Sequence, residues 1–169
     1  VKEVTLTKAE IAKKAAIFTL LIGIAILTPA IVHRQEITGP IINAILFLST
    51  VLLSPELAMF IGLFPSIVAL SSGLLPAVLA PMVPFIMTAN AILVLIFSFL
   101  RKKSYWLGVV LAAFCKFLFL FSTSSIMMKL ILKKELATKV AAMMGWTQLV
   151  TALAGGIIAF LILKALKKI

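Results

Sequence analysis

The chain has 169 residues, 63% hydrophobic and 12% charged, with a mean hydropathy of +1.26. Soluble domains carry about 25% charged residues, so an ordinary water-soluble interior is excluded. The net charge of +11 does not indicate nucleic acid, because the basic residues stand at the ends of apolar runs and not in one stripe interleaved with aromatics.

The apolar runs are long enough to approach or cross a hydrocarbon core of about 30 Å, which takes about 20 helical residues. Stretches such as 17–26 and 91–100 lack the period-two alternation of a β-barrel. The expected fold is therefore all-α, a polytopic membrane protein forming one six-transmembrane-helix bundle over residues 1–169. Helix 1 covers about 8–32 and reads as a retained helix, since its apolar core is too long for a cleaved leader. A polar stretch over 33–40 follows, then helix 2 at about 40–53. Ser54-Pro55-Glu56 makes a tight turn, with Pro suited to the first turn of helix 3 at about 56–70.

Residues 71–84 contain Gly73, Pro76, Pro81 and Pro84 yet stay apolar, which predicts irregular backbone held against the bundle. Helix 4 covers about 84–100 and stops at Arg101-Lys102-Lys103. Helix 5 covers about 104–128 and helix 6 about 139–166, joined by a connection carrying Lys129, Lys133, Lys134 and Glu135. With both termini cytoplasmic, Lys2, Lys8, Lys13, Lys14, Arg101, Lys102, Lys103, Lys164, Lys167 and Lys168 lie inside. Arg34, Lys129, Lys133, Lys134 and Lys139 then lie outside, a bias that favours this orientation in a cell membrane. Tyr105 and Trp106 fit an interfacial aromatic belt.

Lys116 lies near the middle of helix 5, where a lysine costs on the order of 3 kcal/mol on insertion scales. Every acidic residue, Glu3, Glu10, Glu36, Glu56 and Glu135, maps to a helix end or a loop, so no carboxylate shares its depth. Three readings follow: the lysine snorkels, it is neutral and hydrogen-bonded, or it faces a wet cavity that receives an anionic ligand. Gly108, Ala112, Lys116 and Thr123 share a helical face of small and polar residues, with Phe117 and Phe121 directed elsewhere, toward lipid. Asn90 on helix 4 and Gln148 on helix 6 reach similar depth. Trp146 stacks on a ligand ring or packs in the core, and Thr123 supplies a hydroxyl or bonds back to its own helix. The candidate substrate-binding set is thus Lys116, Asn90, Gln148, Trp146 and Thr123. Asn43-Ala44-Ile45-Leu46 and Asn90-Ala91-Ile92-Leu93 echo one another, a match short enough to arise by chance.

No paired intramembrane carboxylate, HExxH, phosphate-cradling loop or GxSxG pattern occurs, and Cys115 and His33 are the only residues of their kinds. No catalytic, metal or cofactor site is expected, and the chain reads as a non-enzyme. It lacks a nucleotide site of its own, so ATP-driven work would need a partner.

Six helices in this length, both ends inside, and a pocket on helices 4 to 6 resemble the substrate-binding S component of an energy-coupling factor (ECF) transporter. Ala12 and Ala16 on helix 1 form a small-xxx-small pair similar to the alanine motif such proteins set against their coupling subunit. Ser54-Pro55-Glu56 before Phe60-Ile61-Gly62 resembles their entry to helix 3. Residues 39–43 followed by 73–81 resemble a subgroup labelled after iron hydrogenase, a chemistry whose metal ligands one cysteine and one histidine do not supply. The resemblance implies capture of a small-molecule micronutrient, such as a vitamin, under loops that close over the pocket. It also implies partnership with a transmembrane coupling subunit and two ATPases in the lipid bilayer. A non-transporting membrane scaffold or assembly subunit is the alternative.

Overall fold

The computed structural model describes residues 7–131 and 143–169, with 128–131 described by backbone alone. Its helices are α1 (Lys8–Ile31), α2 (Gln35–Leu52), α3 (Pro55–Ile61), α4 (Phe64–Ser71), α5 (Val83–Leu100), α6 (Tyr105–Ile131) and α7 (Trp146–Ala165), with a 3-10 helix at Ala77–Met82 leading into α5. No strand occurs among the described residues. Five stretches are long and apolar enough to cross a membrane: Lys8–Ile31, Gln35–Leu52, Ala77–Leu100, Tyr105–Met127 and Trp146–Ala165. The pair α3–α4 makes a shorter apolar stretch. The chain is an all-α, multi-pass membrane bundle.

Several helix ends differ from the sequence reading for identifiable reasons. α2 starts at Gln35, with Pro40 inside the helix and not at its start. Pro40 is the sixth residue of α2, past the first turn, so it leaves the exposed Glu36 carbonyl without its intrahelical donor. The expected third helix is two helices, because Pro65 has no N–H to offer the Ile61 carbonyl and its ring crowds that turn. Pro76, Pro81 and Pro84 likewise prevent a continuous α-helix over the next stretch, which turns at Gly73 with φ +82 and then tightens to 3-10 geometry. α7 begins at Trp146, after Gly145. The expected start of helix 6 at 139, and Lys133, Lys134, Glu135 and Lys139, lie outside the described residues.

Caps account for other boundaries. Thr7 and Glu10 form a capping box before α1. Ser54 Oγ accepts from Leu57 N at 3.3 Å, with Pro55 in the first turn of α3.

α2 is the central helix and packs most extensively on α7, while α5 packs on α6. The α2–α7 approach depends on glycine: a Cβ on Gly155 would stand 2.6 Å from Asn43 Cβ and 2.8 Å from the Pro40 carbonyl oxygen. At one end of the bundle Phe47 and Phe97 meet edge to face with centroids 4.7 Å apart, and Tyr105 Oη donates to the Gly156 carbonyl at 2.8 Å. This end carries Arg101, Lys102 and Lys103. At the other end, Leu75, Leu79, Met82, Ala89, Leu120 and Met144 form a second apolar cluster. On α6, Ala112 and Ala113 belong to the first cluster and Leu120 to the second. Lys116 lies between them, in a polar layer that separates two apolar halves.

Candidate ligand cavity

Lys116 is only 3% exposed, and Asn43 and Asn90 are 2% and 3% exposed. Lys116 Nζ donates to Asn43 Oδ1 at 2.7 Å and to Asn90 Oδ1 at 2.8 Å. Each amide is oriented by a backbone carbonyl: Asn43 Nδ2 donates to Gly39 O at 2.9 Å, and Asn90 Nδ2 donates to Gly62 O at 2.9 Å. The second anchor exists because the α3–α4 break places the Gly62 carbonyl where a neighbouring helix can reach it. Both amides are thereby held with oxygen toward the lysine, which fixes an assignment that an isolated amide leaves open. Lys116 is a buried lysine bonded to amides, and it does not snorkel.

The same three side chains line a cavity of about 100 Å³. Its walls include Gln35, Thr38, Gly39 and Ile42 from α2, Ser66 from α4, Ile86 from α5, Met144 from the segment before α7, and Gln148 from the first turn of α7. The α2 positions recur at spacings of three and four and so share one helical face. Across the cavity, Gln35 Nε2 and Gln148 Nε2 both donate to the Met143 carbonyl at 2.9 Å, tying the start of α2 to the segment before α7. His33 Nε2 lies 3.0 Å from the Ser72 carbonyl oxygen, and Ser72 Oγ donates to Pro29 O at 2.8 Å, joining two connections at the same end.

Of the residues expected at the site, Lys116, Asn90 and Gln148 come together at this cavity. Trp146 does not. It is 71% exposed and stacks on Phe117 with centroids 5.2 Å apart, because two residues of helix turn it about 200° away from Gln148. Phe117, expected at lipid, is 8% exposed beneath that indole. Thr123 shares the lysine's face but lies two turns further on, and its hydroxyl donates to its own helix at Phe119 O, 2.8 Å. Ala12 and Ala16 are exposed on α1, remote from the cavity.

Asn43, Gln35 and Thr38 are the site residues that sequence reasoning missed. Starting the second helix at Pro40 put Asn43 at a helix end and left Gln35 and Thr38 in a loop. With α2 beginning at Gln35, Asn43 lies more than two turns deep. The signal was present in the Asn-Ala-Ile-Leu echo, whose two asparagines are the pair that grips Lys116.

The described carboxylates Glu10, Glu36 and Glu56 stand in the first turns of α1, α2 and α3, away from the lysine. Among the described residues no group of His, Cys, Asp and Glu could hold a metal ion. The cavity presents a buried lysine nitrogen and amide groups at both ends of a small, largely apolar chamber. No protein-family model matches the chain, and no curated protein or solved structure matches it with significance.

Proposed function

We propose that this chain is the membrane-embedded substrate-capture subunit of an ECF-type uptake transporter, holding a small polar or anionic micronutrient in the Lys116 cavity. The observation that carries the proposal is the cavity floor, where a buried lysine meets two fixed amide oxygens and, among the described residues, no carboxylate. Burying a cation costs several kcal/mol unless something compensates it, and two neutral amides offset only part of that. A ligand acceptor or anion supplies the remainder. In this reading the substrate enters from outside a plasma membrane, with both termini cytoplasmic, as the ten-to-five distribution of basic residues favours.

The exposed Ala12 and Ala16 on α1 suit close approach to a transmembrane coupling subunit driven by two ATPases, since small residues let membrane helices pack tightly. Native mass spectrometry of gently purified protein tests the capture role. A retained small molecule, lost from Lys116→Met protein that still folds, is the expected result. Co-purification with a coupling subunit and an ATPase pair tests the partnership.

The two hydrogen bonds on Lys116 also suit a scaffold subunit that uses the polar layer only to register its helices. That reading expects an empty purified protein and stable association with a complex lacking ATPases.

A further inference from the structure

Gln35, Thr38, Gly39, Ile42 and Asn43 line the cavity along one face of α2, and Gln35 to Asn43 is a rise of about 12 Å. The chamber is therefore elongated along α2, with Lys116 at one end and Gln35 at the other. Between them the walls include Ile42, Leu75, Ile86 and Met144. Its volume of about 100 Å³ is well below the roughly 300–1,000 Å³ of common ligand pockets, so the occupant is small and slender.

Each end carries one uncommitted polar function. An ammonium has three N–H donors, and the two asparagines take two of them. At the far end the Met143 carbonyl accepts from Gln35 Nε2, so the amide nitrogen must face it and Oε1 must face away. Gln35 Oε1 is buried with no hydrogen-bond partner among the described residues. An unmet buried acceptor costs about 1–3 kcal/mol, which a bound donor would recover.

Resting on the capture reading above, we infer that the cavity takes a slender monocarboxylate whose apolar chain ends in a hydrogen-bond donor such as a hydroxyl or amide N–H. The carboxylate accepts the third N–H of Lys116 and supplies its counter-charge, and the distal donor meets Gln35 Oε1. The arrangement is one-way. Reversed, the ligand would set its carboxylate against the Gln35 carbonyl oxygen and its donor against an ammonium.

The test is calorimetric titration of the nanodisc-embedded protein with 6-hydroxyhexanoate, its neutral isostere 6-hydroxyhexanamide, and hexanoate, which lacks the distal donor. The acid should bind at least about tenfold more tightly than the amide and several-fold more tightly than hexanoate, as loss of one charged and one neutral hydrogen bond implies. Lys116→Met should erase the acid–amide difference. Gln35→Met should erase the preference for the hydroxyl while keeping the preference for acid. If Lys116→Met fails to fold, Asn90→Asp replaces it, because a carboxylate built against the same ammonium removes the need for one on the ligand.

Equal binding of acid and amide, or an acid preference that survives these variants, overturns the assignment. Native mass spectrometry separates this failure from that of the capture role. A retained neutral or bulky molecule that the acid does not displace overturns the carboxylate class and leaves capture standing. No retained molecule and no binding by any probe overturns both.

Discussion

Asn43 and Asn90 approach Lys116 from different helices and present the same atom to it, Oδ1, at 2.7 and 2.8 Å. Each begins an Asn-Ala-Ile-Leu run, and each amide is turned by the carbonyl of a glycine. The polar layer is thus one interaction with three members, contributed by α2, α5 and α6, and its energetics should be coupled.

That coupling is measurable by a double-mutant cycle. Asn43→Leu or Asn90→Leu alone should destabilise the protein by about 1–3 kcal/mol, because the lysine loses a partner it cannot replace from lipid or from the apolar clusters. In a Lys116→Met background the same changes should cost distinctly less. Reversible unfolding in mixed micelles reads both arms, and additive effects would show that the three side chains act independently.

Gly155 sets the distance between α2 and α7. Gly155→Ala places a methyl within 2.8 Å of backbone atoms of α2, which cannot rotate aside, so a loss of about 1–3 kcal/mol is expected. Gly23 has nothing within 4 Å of its would-be Cβ. Gly23→Ala should therefore be neutral or stabilise by up to about 1 kcal/mol through helix propensity. Equal melting temperatures for the two variants would contradict this account of the interface.

Trp146 should be dispensable for binding. Its ring is largely exposed and stacked on Phe117, so Trp146→Ala should lower stability by about 0.5–1.5 kcal/mol through the lost aromatic contact. The affinity of any retained ligand should not change. A tenfold weakening would place the indole at the site after all.

Pro65→Ala restores a backbone donor opposite the Ile61 carbonyl. The expected result is a straighter α3–α4 junction, seen as stronger amide-exchange protection around residues 63–66. Asn90 should lose its anchor on the Gly62 carbonyl, and ligand affinity should fall while the fold persists. Unchanged exchange at the junction would mean that the break has another cause.

The site was partly legible before any coordinates. Lys116 stood out because a lysine in the middle of an apolar run needs a partner, and Asn90 and Gln148 stood out as polar residues at comparable depth. Asn43 does not stand out, because Pro40 reads as the start of a helix. A proline at the head of an apolar run reads as the first turn of a helix, whereas Pro40 stands in the second turn of α2 and forfeits the bond to the Glu36 carbonyl, so the helix begins more than a turn before the proline suggests. The direction in which Trp146 faces is not legible for a related reason. Facing direction depends on helix register, and two residues of offset reverse it.

What the sequence determined by itself was the solvent and the elements. Runs of apolar residues select lipid, lipid obliges the backbone to bond internally, and the chain therefore becomes helices wherever proline permits. These are local consequences, readable one segment at a time. Which polar groups meet Lys116 was decided only by tertiary structure, because the answer depends on how close α2 comes to α7 at Gly155, where the α3–α4 break exposes a carbonyl, and which faces of α2, α5 and α6 turn toward one another. A lone buried lysine states that compensation is needed. The packing of three helices states which atoms provide it.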